Sequence, residues 1–251
     1  MLKTRVIPTL LWKDYGLVKG KSFDSWRRVG TVLPAIKVYN TREVDELILV
    51  DITATIENRD FNYDEIEEFT SESFVPLTVG GGIKDIDQIR KLLLAGADKI
   101  CINTSAYFKP EIIKEASSTF GTQCVVVSVD TQKKTNGFFE CYSHSGTKAT
   151  GKEVTKHCQE MESLGAGEIL ITSIPNDGMM EGYDYEIIEL VSNSVSIPVI
   201  ASGGAGNYQH MLKAIKAGSD AVAAASIFHY TEQTPREAKR YLHANGIPTR
   251  K

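Results

Sequence analysis

Short apolar runs alternate along the chain with longer stretches in which apolar positions recur every three or four residues. The runs fall at residues 5–11, 46–52, 76–79, 99–103, 124–130, 168–172, 198–202 and 221–225. They are nearly continuous and rich in Val and Ile, as parallel strands are when both faces are buried. The periodic stretches lie between them, at residues 33–39, 63–72, 85–95, 110–120, 152–164, 184–192, 207–217 and 235–245. Asp85 predicts an N-cap, and Gly96 and Gly218 predict helix stops. Eight alternations without a long break predict a closed (β/α)8 TIM barrel, not an open doubly wound sheet.

Two connections are long. Residues 12–28 are polar and contain Gly16 and Gly20; residues 131–150 contain a hairpin predicted over 138–143, after Asn136-Gly137. In a barrel both lie at the C-terminal face, where active-site loops cluster. The chain also repeats. Val79-Gly80-Gly81-Gly82 recurs as Ala201-Ser202-Gly203-Gly204, and Gly96-Ala97-Asp98 as Gly218-Ser219-Asp220; the offsets, 203 − 81 and 218 − 96, are both 122. Two motifs at one offset predict one domain over residues 1–251, built from fused half-barrels of about 1–120 and 121–251.

Composition narrows the functional classes. A net charge of −4 offers no basic excess for nucleic acid or an anionic membrane. The longest apolar runs, such as 125–129 and 221–227, are far too short to span a bilayer. Residues 1–8 lack a signal-peptide h-region, so a cytoplasmic protein is expected. Cys101, Cys124, Cys141 and Cys158 show no CxxC spacing and are expected to be reduced and mostly buried.

Candidate chemistry sits at the strand ends. The glycine motifs end strands three and seven, where a missing Cβ lets an anion approach backbone N–H groups and a following helix adds its dipole. The next strands end in Asn103-Thr104 and Ala225-Ser226, which add N–H and hydroxyl donors. The duplication predicts a ligand with two phosphates held at opposite sides of the mouth, near Gly82 and Gly204, with Ser202 beside the second. Asp130 ends strand five as a candidate general acid or base. Asp51 ends strand two, and Asp177-Gly178 follows strand six; either a pocket role or simple loop ordering fits these. Arg5, Glu46, Lys99 and Glu168 each begin a strand, so they converge at the bottom, as a salt-bridged ring or as a solvated rim. His144, His157, His210, His229 and His243 have no metal-ligand spacing and are expected to be solvated or in the core. The glycine turns lack GxGxxG spacing, so no metal, nicotinamide or flavin cofactor is expected.

Together these residues resemble the cyclase subunit of imidazole glycerol phosphate synthase (HisF) over nearly the whole chain. The stretches that carry the resemblance are Val50-Asp51-Ile52-Thr53-Ala54, Thr78-Val79-Gly80-Gly81-Gly82-Ile83, Gly96-Ala97-Asp98-Lys99, Ile102-Asn103-Thr104, Gly165-Ala166-Gly167-Glu168-Ile169-Leu170 and Ile200-Ala201-Ser202-Gly203-Gly204-Ala205-Gly206. The resemblance implies a glutaminase docked on the bottom and ammonia passing along the barrel axis to a two-phosphate substrate at the top. It places the ammonia gate on Arg5, Glu46, Lys99 and Glu168, and a glutaminase contact on Asp98. Phosphate contacts fall on Gly82, Asn103, Thr104, Gly178, Gly204, Ala225 and Ser226, with Asp177 beside them. Lys19 matches a lysine of the mobile first loop, and Asp130 one of two catalytic aspartates.

The other aspartate is missing. The family ends strand one with Cys-Leu-Asp; here it is Thr9-Leu10-Leu11. Leu11 cannot transfer a proton, and losing a positioned acid or base costs about 10²–10⁴ in rate. The family's Gly-Asp-Pro-Val-Glu is Gly30-Thr31-Val32-Leu33-Pro34 here, and Pro175-Asn176 displaces the acidic residue before its Asp-Gly pair. Such a pattern resembles paralogues of bacterial surface-polysaccharide pathways. These act with a glutaminase-like subunit and a third, amidotransferase-type protein to build acetamidino groups on nucleotide-linked sugars. The resemblance therefore implies an ammonia-using subunit of that kind, with histidine-pathway cyclisation and a non-catalytic channelling scaffold as the alternatives.

Overall fold

The computed structural model describes residues 3–14 and 16–250. The strands are β1 (Arg5–Lys13), β2 (Gly16–Lys21), β3 (Asp24–Gly30), β4 (Leu47–Asp51), β5 (Leu77–Gly80), β6 (Lys99–Ile102), β7 (Val125–Lys133), β8 (Phe139–Ser143), β9 (Lys148–Glu153), β10 (Glu168–Ser173), β11 (Val199–Ser202) and β12 (Ala221–Ala224). The helices are α1 (Val32–Thr41), α2 (Ala54–Glu57), α3 (Tyr63–Ser71), α4 (Ile86–Leu94), α5 (Thr104–Phe108), α6 (Glu111–Phe120), α7 (Val154–Ser163), α8 (Tyr185–Ser192), α9 (Tyr208–Lys216), α10 (Ser226–Tyr230) and α11 (Pro235–Ala244).

β1, β4, β5, β6, β7, β10, β11 and β12 pair in parallel, and β12 returns to β1 to close the sheet. The fold is the (β/α)8 barrel that the alternation predicts. Side chains on the inner face fill it: Ile7, Ile48, Cys101, Val126, Leu170, Ile200, Ala221 and Ala223 form one buried cluster. A larger cluster joins the outer strand faces to the helices. Among the described residues, no helix is long and apolar enough to cross a membrane.

The two long connections are not loops. The first is an antiparallel hairpin, β2–β3, continuing from β1; in the second, β7 runs on to Lys133 and pairs with β8, which pairs with β9. The polar composition of residues 12–28 hid two strands, β2 with its ladder partner in β1 and β3 with its partner in β2. The short helices α2, α5 and α10 also escaped the periodicity, having 4, 5 and 5 residues, too few to show a stripe.

The offset of 122 extends well beyond the two motifs. β5, α4, β6 and α5 each coincide, end for end, with β11, α9, β12 and α10 after adding 122. Asp85 accepts from the N–H of Gln88, and Asn207 from that of His210. Asp98 accepts from the N–H of Leu77 at 2.8 Å, and Asp220 from that of Val199 at 2.9 Å. The sheet register extends the equivalence to the first strand. Leu11 pairs with Val50 and Asp130 with Thr172, and 172 − 50 is again 122. Leu11 and Asp130 thus hold the same place in the two halves.

The glycine turns are tightly packed. Gly81 has φ +104, and a Cβ there would be driven into the carbonyl oxygen of Asp51. Gly137, at φ +83, has nothing within 4 Å of an added Cβ. Gly137→Ala should therefore cost only the left-handed backbone penalty, about 1–2 kcal/mol. Gly81→Ala should add an overpacking cost of about 1–3 kcal/mol. Urea unfolding midpoints measure both; equal losses would contradict the close approach at Gly81.

Candidate active site

The carboxyl ends of the barrel strands surround a cavity of about 330 Å³. Its wall includes Leu11, Asp51, Gly82, Asn103, Thr104, Asp130, Asp177, Gly178, Ser202, Gly204, Ala225 and Ser226. The cavity extends down to Cys101, Leu170 and Ala223, which belong to the inner apolar cluster.

Asp130 is the buried acid of this cavity. Its position inward on β7 follows from the two-residue period of the strand. Asn103 Nδ2 donates to Asp130 Oδ2 at 3.2 Å and to the Ser128 carbonyl at 3.0 Å. The side chain of Asn103 therefore orients the acid, a role that its place at a strand end did not reveal. Burial, with the negative charge of Asp177, pushes the Asp130 carboxyl up to about 7, against a hydrogen bond from Ser128. Asp130 can therefore hold or release a proton near neutral pH.

Lys19 was expected on a first loop. It lies instead on β2, 2% exposed, and its Nζ donates to the Thr9 carbonyl at 2.8 Å. Burial lowers the Lys19 ammonium, opposed by Asp177; burial raises the Asp177 carboxyl, opposed by Lys19. Asp177 is thus a counter-charge for Lys19. Asp51 orders its loop: Oδ1 accepts from the N–H groups of Thr53 and Ala54, and Oδ2 pairs with Arg59 at 2.8 Å.

The glycine turns stand at the cavity wall, and the helices that follow them carry side-chain caps. α4 and α9 are capped by Asp85 and Asn207, and the N–H of Gly82 donates to Thr55 Oγ1 at 3.1 Å. The Thr104 hydroxyl accepts from the N–H of His144 at 3.0 Å.

Both hairpins reach over the mouth. Ser22 donates its N–H to the Asp177 carbonyl at 2.7 Å and its hydroxyl to the Pro175 carbonyl at 3.1 Å. Phe23 and Trp26 from the first hairpin, and His144 and Ser145 from the second, line the cavity. The expectation that every histidine is solvated or in the core is thus corrected for His144. Only the β7–β8 pairing carries it to the mouth, and no local spacing signals that. His157 is a core residue, stacked on Tyr107 with ring centroids 4.2 Å apart. Cys101, Cys141 and Cys158 are buried, Cys124 is partly so, and all four are free thiols.

At the opposite end the four charges close a ring. Arg5 Nη1 meets Glu46 Oε1 at 2.9 Å and Glu168 Oε1 at 2.8 Å; Lys99 Nζ meets Glu46 Oε2 and Glu168 Oε1, each at 3.2 Å. All four side chains are at most 15% exposed, so this is no solvated rim. Burial works against the Arg5 charge, but Glu168 and Glu46 outweigh it and raise the guanidinium further. Glu168 Oε2 is buried without a partner among the described residues. Asp98 sits beside Lys99 on the exposed bottom face.

A family model described as "Histidine biosynthesis protein" matches residues 5–234.

The raised Asp130 carboxyl has a consequence for stability. Its folded-state affinity for a proton exceeds the unfolded one, so its contribution is full below about pH 4 and is lost as pH rises to about 7. Asp130→Asn, which cannot ionise, should gain stability relative to the wild type between pH 4.5 and 7.5. Urea midpoints at the two pH values measure it; a constant difference would contradict the assignment.

Proposed function

The chain belongs to the histidine biosynthesis protein family, and from that premise we propose that it is the ammonia-using synthase subunit of a glutamine amidotransferase system. Proteins of this cyclase-like family usually work with a glutaminase. In this reading the glutaminase docks on the bottom face around Asp98, ammonia enters through the ring of Arg5, Glu46, Lys99 and Glu168, and the barrel interior conducts it to Asp130. The apolar inner cluster suits a small neutral molecule, and the paired charges around the entrance suit a gate.

The observation that carries the choice of reaction is Leu11, which pairs with Val50 in the first half as Asp130 pairs with Thr172 in the second. Ring closure to an imidazole by two aspartates would need an acid there. A single aspartate fits amination of the carbonyl carbon of an acetamido group, forming an acetamidino group on a nucleotide-linked sugar for surface polysaccharide. A third, amidotransferase-type protein then completes the assembly. The glycine turns would hold phosphates, through Gly82, Asn103 and Thr104 on one side and Gly178, Gly204, Ala225 and Ser226 on the other.

One observation favours a second reading, the histidine-pathway cyclisation of a bisphosphorylated ribulosyl-formimino aminoimidazole carboxamide ribotide. The turns at Gly81–Gly82 and Gly203–Gly204 share positive φ values at one sequence offset and both border the cavity, as two phosphate cradles would.

The test is turnover with saturating ammonium salt. Wild type, with the third protein, should aminate an acetamido nucleotide-sugar and cyclise the ribotide poorly; Leu11→Asp should raise cyclisation by about 10² or more. Fast cyclisation by the wild type, unchanged in Leu11→Asp, would refute the leading reading. Consumption of neither substrate would favour a channelling scaffold.

A further inference from the structure

The second hairpin brings an imidazole into the wall of the cavity that holds the buried acid. Asp130 pairs with Tyr142 in the β7–β8 ladder, and His144 follows two residues later, at the turn into β9. His144 and Ser145 both have positive φ, +52 and +55. Such a backbone is strained and persists only where its surroundings hold it. Here the His144 N–H donates to Thr104 Oγ1 at 3.0 Å, and Ser145 Oγ donates to the Ile52 carbonyl at 2.7 Å. At Gly146 a Cβ would lie 2.7 Å from the Phe23 ring, so the tip is also wedged against the first hairpin. The ring is fixed too: Nδ1 lies 3.0 Å from Ser143 Oγ, and Phe108 packs edge-on at 5.7 Å. With Nδ1 held, Nε2 is the nitrogen left for a ligand in the cavity that His144 lines.

The backbone of His144 and the acid are tied by one network. Asn103 donates to Asp130 Oδ2 at 3.2 Å, Thr104 Oγ1 meets Asn103 Oδ1 at 3.3 Å, and the His144 N–H reaches the same Thr104 oxygen. We infer that His144 is a second proton-transfer group of this cavity, the base that works with Asp130 when ammonia attacks. This rests on the ammonia-using reading.

The ammonia lone pair forms a C–N bond to the carbonyl carbon of an acetamido group, and the C=O π pair moves to oxygen. Protonated Asp130 gives that oxygen its proton, while His144 Nε2 takes one from the new ammonium. The tetrahedral carbon then carries OH and NH₂. The imidazolium returns its proton to the leaving hydroxyl, releasing water, and the nitrogen gives a proton to the Asp130 carboxylate as C=N forms. Both side chains are restored, and the net change is acetamido plus ammonia to acetamidino plus water.

The electrostatics suit these roles. Burial, with the charge of Lys148 on the same hairpin, lowers the His144 imidazole below its ordinary range, so it is neutral while Asp130 still holds a proton. The other charged groups of the cavity wall are Asp177, whose neighbour is Lys19, Asp51, paired with Arg59, and Lys84.

The test compares wild type, His144→Gln and His144→Ala in the intact complex, with ammonium and an acetamido nucleotide-sugar. His144→Gln should lower kcat by about 10²–10⁴ with KM within about threefold, and should lose the acid limb of the wild-type pH profile. Added imidazole should restore part of the His144→Ala rate. A kcat within about threefold of wild type with an unchanged profile would overturn the inference. If the wild type consumes no substrate, the functional reading fails by itself, and NMR of ¹⁵N-histidine-labelled protein decides the site. The His144 ring should titrate below 6.5, and its signals should move on adding inorganic pyrophosphate and in Asp130→Asn. Signals unmoved by both would overturn it.

Discussion

The closed register of the barrel is the constraint on which the rest depends. Each strand turns alternate side chains inward, and closure of β12 onto β1 leaves no freedom to slip by one residue. That register gathers Arg5, Glu46, Lys99 and Glu168 into one ring at the bottom. It stacks Ile7, Ile48, Cys101, Val126, Leu170 and Ile200 above them. At the top it sets Asp130 and Leu11 at equivalent places. A bottom ring, an apolar interior and a polar cavity follow along a single axis.

The two ends place different demands on their charges. At the bottom each cation meets both anions, so the desolvation of four buried charges is offset by mutual pairing. At the top Asp130 has Asn103 and Ser128 but no cation within ion-pair distance among the described residues, and burial holds its proton near neutral pH. The bottom ring is therefore held together by paired charges, and the top is poised to exchange protons. That contrast supports reading one end as an entrance and the other as the place of chemistry.

Much of this was legible in the sequence. The eight parallel strands stand out because both their faces are apolar, and the ring residues because a charge directly precedes each apolar run. The offset of 122 was visible in two motifs and governs whole elements. The features missed are those set by distant partners. The β2–β3 hairpin has a polar outer face and takes its register from β1. Asn103 stood out only by its place at a strand end; that its amide is turned to Asp130 depends on a ladder that only the fold assembles. His144 had no spacing to mark it, because a turn between two strands carries it to the mouth.

Conduction of ammonia from the bottom ring to Asp130 is the proposal on which the functional reading turns. Its most direct measurement uses the complex with the glutaminase, glutamine labelled with ¹⁵N at the amide, and an excess of unlabelled ammonium in solution. Mass spectrometry of the aminated product reads the origin of its nitrogen. The account predicts product carrying chiefly ¹⁵N, with the preference reduced when Lys99 is replaced by Ala and the ring opened. Product labelled only in proportion to the ammonium in bulk solution would contradict it.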